Sequence, residues 1–161
     1  MIILGIDPGT ADTGFGVVQI ENSKIKSLGY GSIKTKAGEP MPERLWKLYC
    51  DLQAVFKKFK PDIVSIEKIF FNTNAKTAMS VGQARGVAML LAGQHKVAVV
   101  EYTALQAKLA LTGYGRAEKK VMQKRVGEIL KIKEKITPND AADGLAMALC
   151  HLVKEDLVKY V

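Results

Sequence analysis

The feature that most constrains this chain is a change of hydrophobic period near residue 40. Before it, apolar residues come in short runs broken by turn residues: Ile2 to Ile6, then Asp7-Pro8-Gly9-Thr10, then Gly16 to Ile20. That pattern predicts a hairpin, and Ile25 to Thr35 supplies a third strand. From Pro42 onward Leu45, Leu48, Leu52, Val55, Phe56 and Phe59 recur at three- and four-residue spacing, which predicts a helix ending before Pro61. Ile63 to Ile66 then reads as a short buried strand, Ala75 to Ala92 as a helix, Val97 to Tyr102 as another strand, and the last third as helical. Strand, helix and strand in succession require parallel pairing. A meander of three strands followed by this alternation predicts an α/β fold, a mixed five-stranded sheet flanked by helices on both faces.

A length of 161 residues suits one domain spanning 1–161, and neither a repeat nor a linker divides it. With 48% hydrophobic and 25% charged residues, a disordered or low-complexity chain is excluded. No basic stretch precedes Asp7 and no apolar run is long enough to cross a bilayer, so neither a signal peptide nor a membrane span is expected. Cys50 and Cys150 sit in amphipathic patterns and are expected as small core residues rather than a disulfide framework. A soluble cytoplasmic protein is the expectation.

Charge narrows the class of partner. The chain has 24 basic and 16 acidic side chains, a formal net charge of +8, and such a surplus favours polyanions, nucleic acid above all. Most of it lies in residues 105–135, with nine basic and three acidic groups. There Arg116, Lys119, Lys120, Lys124 and Arg125 follow the turn Gly113-Tyr114-Gly115. This spacing either sets cations along a phosphate backbone or forms a solvated helix face.

Four acids stand out. Asp7 and Glu67 each close an apolar strand, which puts both carboxylates at the sheet's carboxyl edge, and neighbouring strands would bring them together. Asp140 and Asp143 are three residues apart and share one face of a helix. A cluster of like charges is tolerable only if cations neutralise it, and magnesium suits oxygen-only ligands. Each acid also has a plain structural reading: Asp7 capping the turn at Pro8-Gly9, Glu67 a solvated strand end, and Asp140 in the first turn of a helix started by Thr137 and Pro138. His95 and His151 lack metal-spaced partners and read as structural or surface groups. Phe70-Phe71 runs into the polar stretch Asn72 to Lys76, where a ring could stack on a base or pack in the core.

Taken together, Gly5-Ile-Asp-Pro-Gly9, Thr13-Gly-Phe-Gly16, Ile66-Glu67 followed by Phe70, Gly82-Gln-Ala-Arg-Gly-Val87, Ala117-Glu-Lys119 and Asp140-Ala-Ala-Asp143 resemble the RuvC family of Holliday junction resolvases. The matches run in order over nearly the whole chain. The resemblance implies a ribonuclease H-like fold, a homodimer with two active sites, and metal-dependent paired nicking of a four-way DNA junction in recombination and repair. It implies Asp7, Glu67, Asp140 and Asp143 as catalytic carboxylates and ligands of two Mg2+ ions, with Mn2+ able to substitute and no other cofactor. In such sites one ion activates the attacking water and the other stabilises the leaving 3′ oxygen, leaving a 5′ phosphate. Asp7 is the expected bridge between the ions. The same resemblance makes Phe70 the ring that stacks in the opened junction and puts Lys108 and Lys119 near the scissile DNA. Arg116, Lys120 and Lys124 join them as expected DNA contacts from the basic segment. The helix carrying Val81, Gly82, Gly86, Val87, Met89 and Leu90 is the expected dimer interface, and the RuvA–RuvB motor is an expected partner. Gly144 departs from the family, which more often has Ala there.

Three other readings compete. Gly5-Ile-Asp-Pro-Gly-Thr10 also resembles the phosphate loop of actin-like ATPases and sugar kinases, which need two such lobes where this length supplies one. A non-catalytic DNA binder would use the basic segment alone. A nuclease for RNA or RNA–DNA hybrids would use the same carboxylates, because fold does not fix substrate.

Overall fold

The computed structural model describes residues 1–69 and 75–158, with backbone only at 75–77. The elements, in chain order, are β1 (Ile2–Asp7), β2 (Asp12–Glu21), β3 (Lys24–Lys34), α1 (Met41–Phe59), β4 (Ile63–Glu67), α2 (Ala75–Gln94), β5 (Ala98–Tyr102), α3 (Ala104–Thr112), α4 (Lys119–Ile129) and α5 (Asn139–Lys154). The five strands form one sheet in the order β3-β2-β1-β4-β5. β1, β2 and β3 pair antiparallel as a meander, while β1–β4 and β4–β5 pair parallel. This is the mixed sheet that the change of period predicts.

Helices cover both faces because the central strands are apolar on both. Along β1, Leu4 and Ile6 point to one side, where Leu48, Leu52 and Phe56 of α1 meet Ala84, Ala88 and Leu91 of α2. Ile3 points to the other side, against Leu145, Ala148 and Leu149 of α5, backed by Val126 of α4 and Leu111 of α3. From Ala141 to Leu152 every residue of α5 is buried except the half-buried Asp143, as expected of a helix that is apolar all round.

The seat of α5 is built from glycine. A Cβ added at Gly5 would collide with the Gly144 carbonyl, one at Gly14 with the Asp140 carbonyl, and one at Gly16 would lie 2.5 Å from the Leu145 nitrogen. From the helix side, a Cβ at Gly144 would lie 2.5 Å from the Phe15 carbonyl carbon. Helix backbone therefore rests on strand backbone. Glycine at position 144 costs about 1 kcal/mol of helix propensity relative to Ala, and the close approach of β2 is its physical reason. Ser65 adds a tie across the same interface by donating its hydroxyl to the Met147 carbonyl at 2.7 Å.

Two expectations are corrected. Cys50 is exposed, whereas Cys150 is buried. With 3.6 residues per turn, Cys50 points away from the inward stripe of Leu48 and Leu52. At the start of α5 the N-cap is Pro138 rather than Thr137, and no side chain caps the helix. Asp140 does lie in the first turn, where a negative charge suits the helix dipole.

Candidate active site

Backbone register converges on one point at the carboxyl edge of the sheet. Ile6 pairs with Ile66 across the parallel β1–β4 ladder, so the next residues, Asp7 and Glu67, emerge side by side. On the other flank Asp7 pairs with Gly14, and Gly14 touches the backbone of Asp140. One turn later, Asp143 lies on the same face of α5. Carboxylate oxygens of Asp7, Asp140 and Asp143 all lie within 4.8 Å of one another.

Such crowding has an electrostatic cost, and it appears where expected. Burial, the Glu67 charge and a hydrogen bond with Glu67 push the Asp7 carboxyl up to about 8. Burial also raises Asp143, against the opposing pull of Lys119. The Lys119 ammonium lies 2.6 Å from Asp143 Oδ2 and is itself held above its usual range by that contact. Lys108 lines the same pocket of about 230 Å3 with Asp7, Glu67, Lys119 and Asp143. A second cavity, about 780 Å3, is also lined by Asp7 and Glu67 and includes Ile69, Val81 and Leu105.

A hard divalent cation fits this donor set. The ligand atoms are all oxygens, they are close enough to share an ion, and the raised Asp7 carboxyl and the ammonium of Lys119 against Asp143 both reflect a surplus of negative charge that a cation would offset.

Other candidate residues separate clearly. Arg116 and Lys120 are exposed and lie outside the carboxylate pocket. Lys124 reaches Glu128 at 3.9 Å. Arg125 is a clamp, donating Nε to the Leu111 carbonyl at 3.2 Å and pairing with Glu128 at 3.3 Å. Phe70 lies outside the described residues. His95 stacks on Phe56 with centroids 5.1 Å apart, and His151 Nδ1 is 2.9 Å from the Tyr102 hydroxyl, so both have structural contacts. Sequence reasoning passed over Lys131, Lys133 and Lys135, which share a groove with Lys119 and Lys120. Their signal was only the basic surplus of the segment.

A ribonuclease H-like sheet with a carboxylate cluster at its edge defines the class of this fold and site. Similarity to known proteins narrows it. The family model described as crossover junction endodeoxyribonuclease RuvC matches residues 3–151. The RuvC protein of Syntrophomonas wolfei is 49% identical over 152 residues, covering 94% of this chain and 88% of that protein. Among solved structures, Thermus thermophilus RuvC in complex with Holliday junction substrate matches with a TM-score of 0.90 and 35% identity, covering 98% of this chain and 96% of that one. The yeast mitochondrial Holliday junction resolvase Ydc2 matches with a TM-score of 0.66 at 14% identity, which speaks for the fold alone. This chain belongs to the RuvC family of crossover junction endodeoxyribonucleases. Among the described residues no helix is long and apolar enough to cross a membrane.

Proposed function

We propose that this chain resolves Holliday junctions by nicking two opposed strands, with Asp7, Glu67, Asp140 and Asp143 as the catalytic carboxylates. The observation that carries the reading is the meeting of three carboxylates within 4.8 Å, with Glu67 hydrogen-bonded to Asp7. These four residues would hold magnesium, and manganese offers the same oxygen preference. When bound there, the metal supplies charge for the scissile phosphate and lowers the pKa of an attacking water. The chemistry is hydrolysis: water oxygen bonds to phosphorus, the bond to the 3′ oxygen breaks, and that oxygen takes up a proton, leaving a 3′ hydroxyl and a 5′ phosphate.

The chain's own groups prepare that step. Asp7, its carboxyl pushed up to about 8, must give up its proton before it can act as a ligand. Lys119 neutralises Asp143 and, with Lys108, offers positive charge at the pocket mouth where a phosphate would enter. Arg116, Lys120 and Lys124 extend that charge along the DNA, and Phe70 is the residue proposed to stack in the junction centre.

The whole chain acts as one nuclease domain in this reading. A junction has two strands to cut and the described residues of each chain hold one such carboxylate cluster, so the active form is a homodimer. The interface is the outer face of α2, where Met79 is 72% and Leu90 63% exposed and where, among the described residues, an added Cβ at Gly82 or Gly86 would meet nothing within 4 Å. The RuvA–RuvB motor is the proposed partner in the cytoplasm, beside the chromosome. The test is cleavage of a synthetic four-way junction, linear duplex and RNA–DNA hybrid, in magnesium and in chelator. Paired symmetric nicks on the junction alone, absent in chelator, are expected. Junction binding with no nick in any divalent metal, or cutting of hybrids but not junctions, would defeat the proposal.

A further inference from the structure

A groove of about 820 Å3 opens between α4 and the loop that joins it to α5. It is continuous with the carboxylate site, because Lys119 lines both and Asn139, the residue before Asp140, belongs to its wall. α4 contributes Lys120 and Lys124, one turn apart, and the loop contributes Lys131, Lys133 and Lys135. Of the two acids in the groove, Glu128 is already engaged by Lys124 and Arg125. Among the described residues, Lys120, Lys131, Lys133 and Lys135 form no ion pair.

The loop holds these cations firmly. The Ile132 N–H donates to the Gly127 carbonyl at 2.9 Å and the Lys131 N–H to the Glu128 carbonyl at 3.2 Å. Ile136 is buried and Ile132 packs against the α5 core, so the intervening lysines are turned outward. Glu134 is the other acid, exposed among the lysines, and with six lysines against two acids the groove keeps a net positive charge that attracts a polyanion lying along it. Lysine on an open surface binds phosphate without reading sequence.

We infer that this groove seats the sugar-phosphate backbone of a duplex arm running from the scissile site, with Lys131, Lys133 and Lys135 bound to phosphates. The inference rests on the proposed nuclease function and extends the DNA path beyond the residues assigned there. It is tested by junction binding of the full chain in chelator, measured against salt, for wild type and the K131Q/K133Q/K135Q variant. Removing one lysine–phosphate interaction lowers the slope of log affinity against log salt by about 0.9. With three removed, a fourfold rise in salt costs the variant roughly 40-fold less affinity than it costs wild type. A K24Q/K26Q/K57Q control, with the same net charge, keeps the wild-type slope. Shortening the junction arms abolishes the difference between wild type and the triple variant, because no backbone then reaches the groove. A triple variant with the wild-type slope, or a control whose slope falls as far, overturns the inference. Wild-type nicking in magnesium is scored in parallel: its absence with the slope difference intact sinks the resolvase reading while the groove stands.

Discussion

Glycines serve opposite ends on the two sides of the sheet. Beneath α5, Gly5, Gly14, Gly16 and Gly144 have no room for even one more carbon, and backbone touches backbone. On α2, an added Cβ at Gly82, Gly86 or Gly93 would meet nothing within 4 Å among the described residues. In the first case glycine is a geometric requirement of the fold, and what its small size permits is a helix seated close enough to bring Asp140 and Asp143 to Asp7. In the second, each helical glycine costs about 1 kcal/mol relative to alanine, and among the described residues no close backbone contact offsets it. The difference separates an interface completed within one chain from an open face, the one proposed to meet a second copy.

The largest effect is expected from filling the completed interface. Gly16→Val places carbon against the Leu145 backbone, where the first added atom already lies 2.5 Å from nitrogen. Overpacking of this kind costs about 1–3 kcal/mol, a Tm fall of about 2–4 °C for each kcal/mol. Because α5 carries two of the acids, junction cleavage should fall about a hundredfold. A variant with wild-type Tm and cleavage would mean that α5 does not rest on β2 as described.

The second prediction concerns what the close seat of α5 does to charge. Asp7, pushed up to about 8 in the fold, has an ordinary value of 3.8. Between those values the folded chain keeps a proton that the unfolded chain releases, so without metal this group makes stability fall as pH rises from about 4 to 8. Melting in chelator across that range should show the decline. Asp7→Asn should flatten it, and magnesium should raise Tm more at pH 8 than at pH 5. Identical profiles for wild type and Asp7→Asn would contradict the assignment of that proton.

The smallest effect belongs to the open face. On a solvated helix Gly86→Ala adds up to about 1 kcal/mol of stability. At the proposed interface the same methyl group enters the contact between copies. The expected result is a raised Tm in dilute, monomeric samples together with weaker dimerisation by light scattering. Unchanged dimerisation would remove Gly86 from the interface.

Much of the site was legible in the sequence, for local reasons. A carboxylate ending an apolar strand announces itself at Asp7 and again at Glu67, and strand–helix–strand order implies the parallel pairing that aligns them. The three-residue spacing of Asp140 and Asp143 fixes their shared face. What stayed hidden depends on partners distant in the chain. Gly144 reads as a helix weakness until Phe15 is seen across from it. Cys50 reads as core because amphipathic stripes are broad, and only packing tells which neighbours of Leu48 turn outward. Arg125 reads as one more free cation until the Leu111 carbonyl and Glu128 claim it. Lys131, Lys133 and Lys135 become a surface only after Ile132 and Ile136 anchor their loop.

The central claim is that four carboxylates, gathered by two strand ends and one helix, perform metal-dependent cutting of a junction. Its most direct test compares wild type with Asp7→Asn on a labelled four-way junction, measuring binding in chelator and nicking in magnesium. The account predicts near-equal binding, paired nicks by wild type in magnesium, and no nicks by the variant. An Asp7→Asn protein that cuts at the wild-type rate would contradict it.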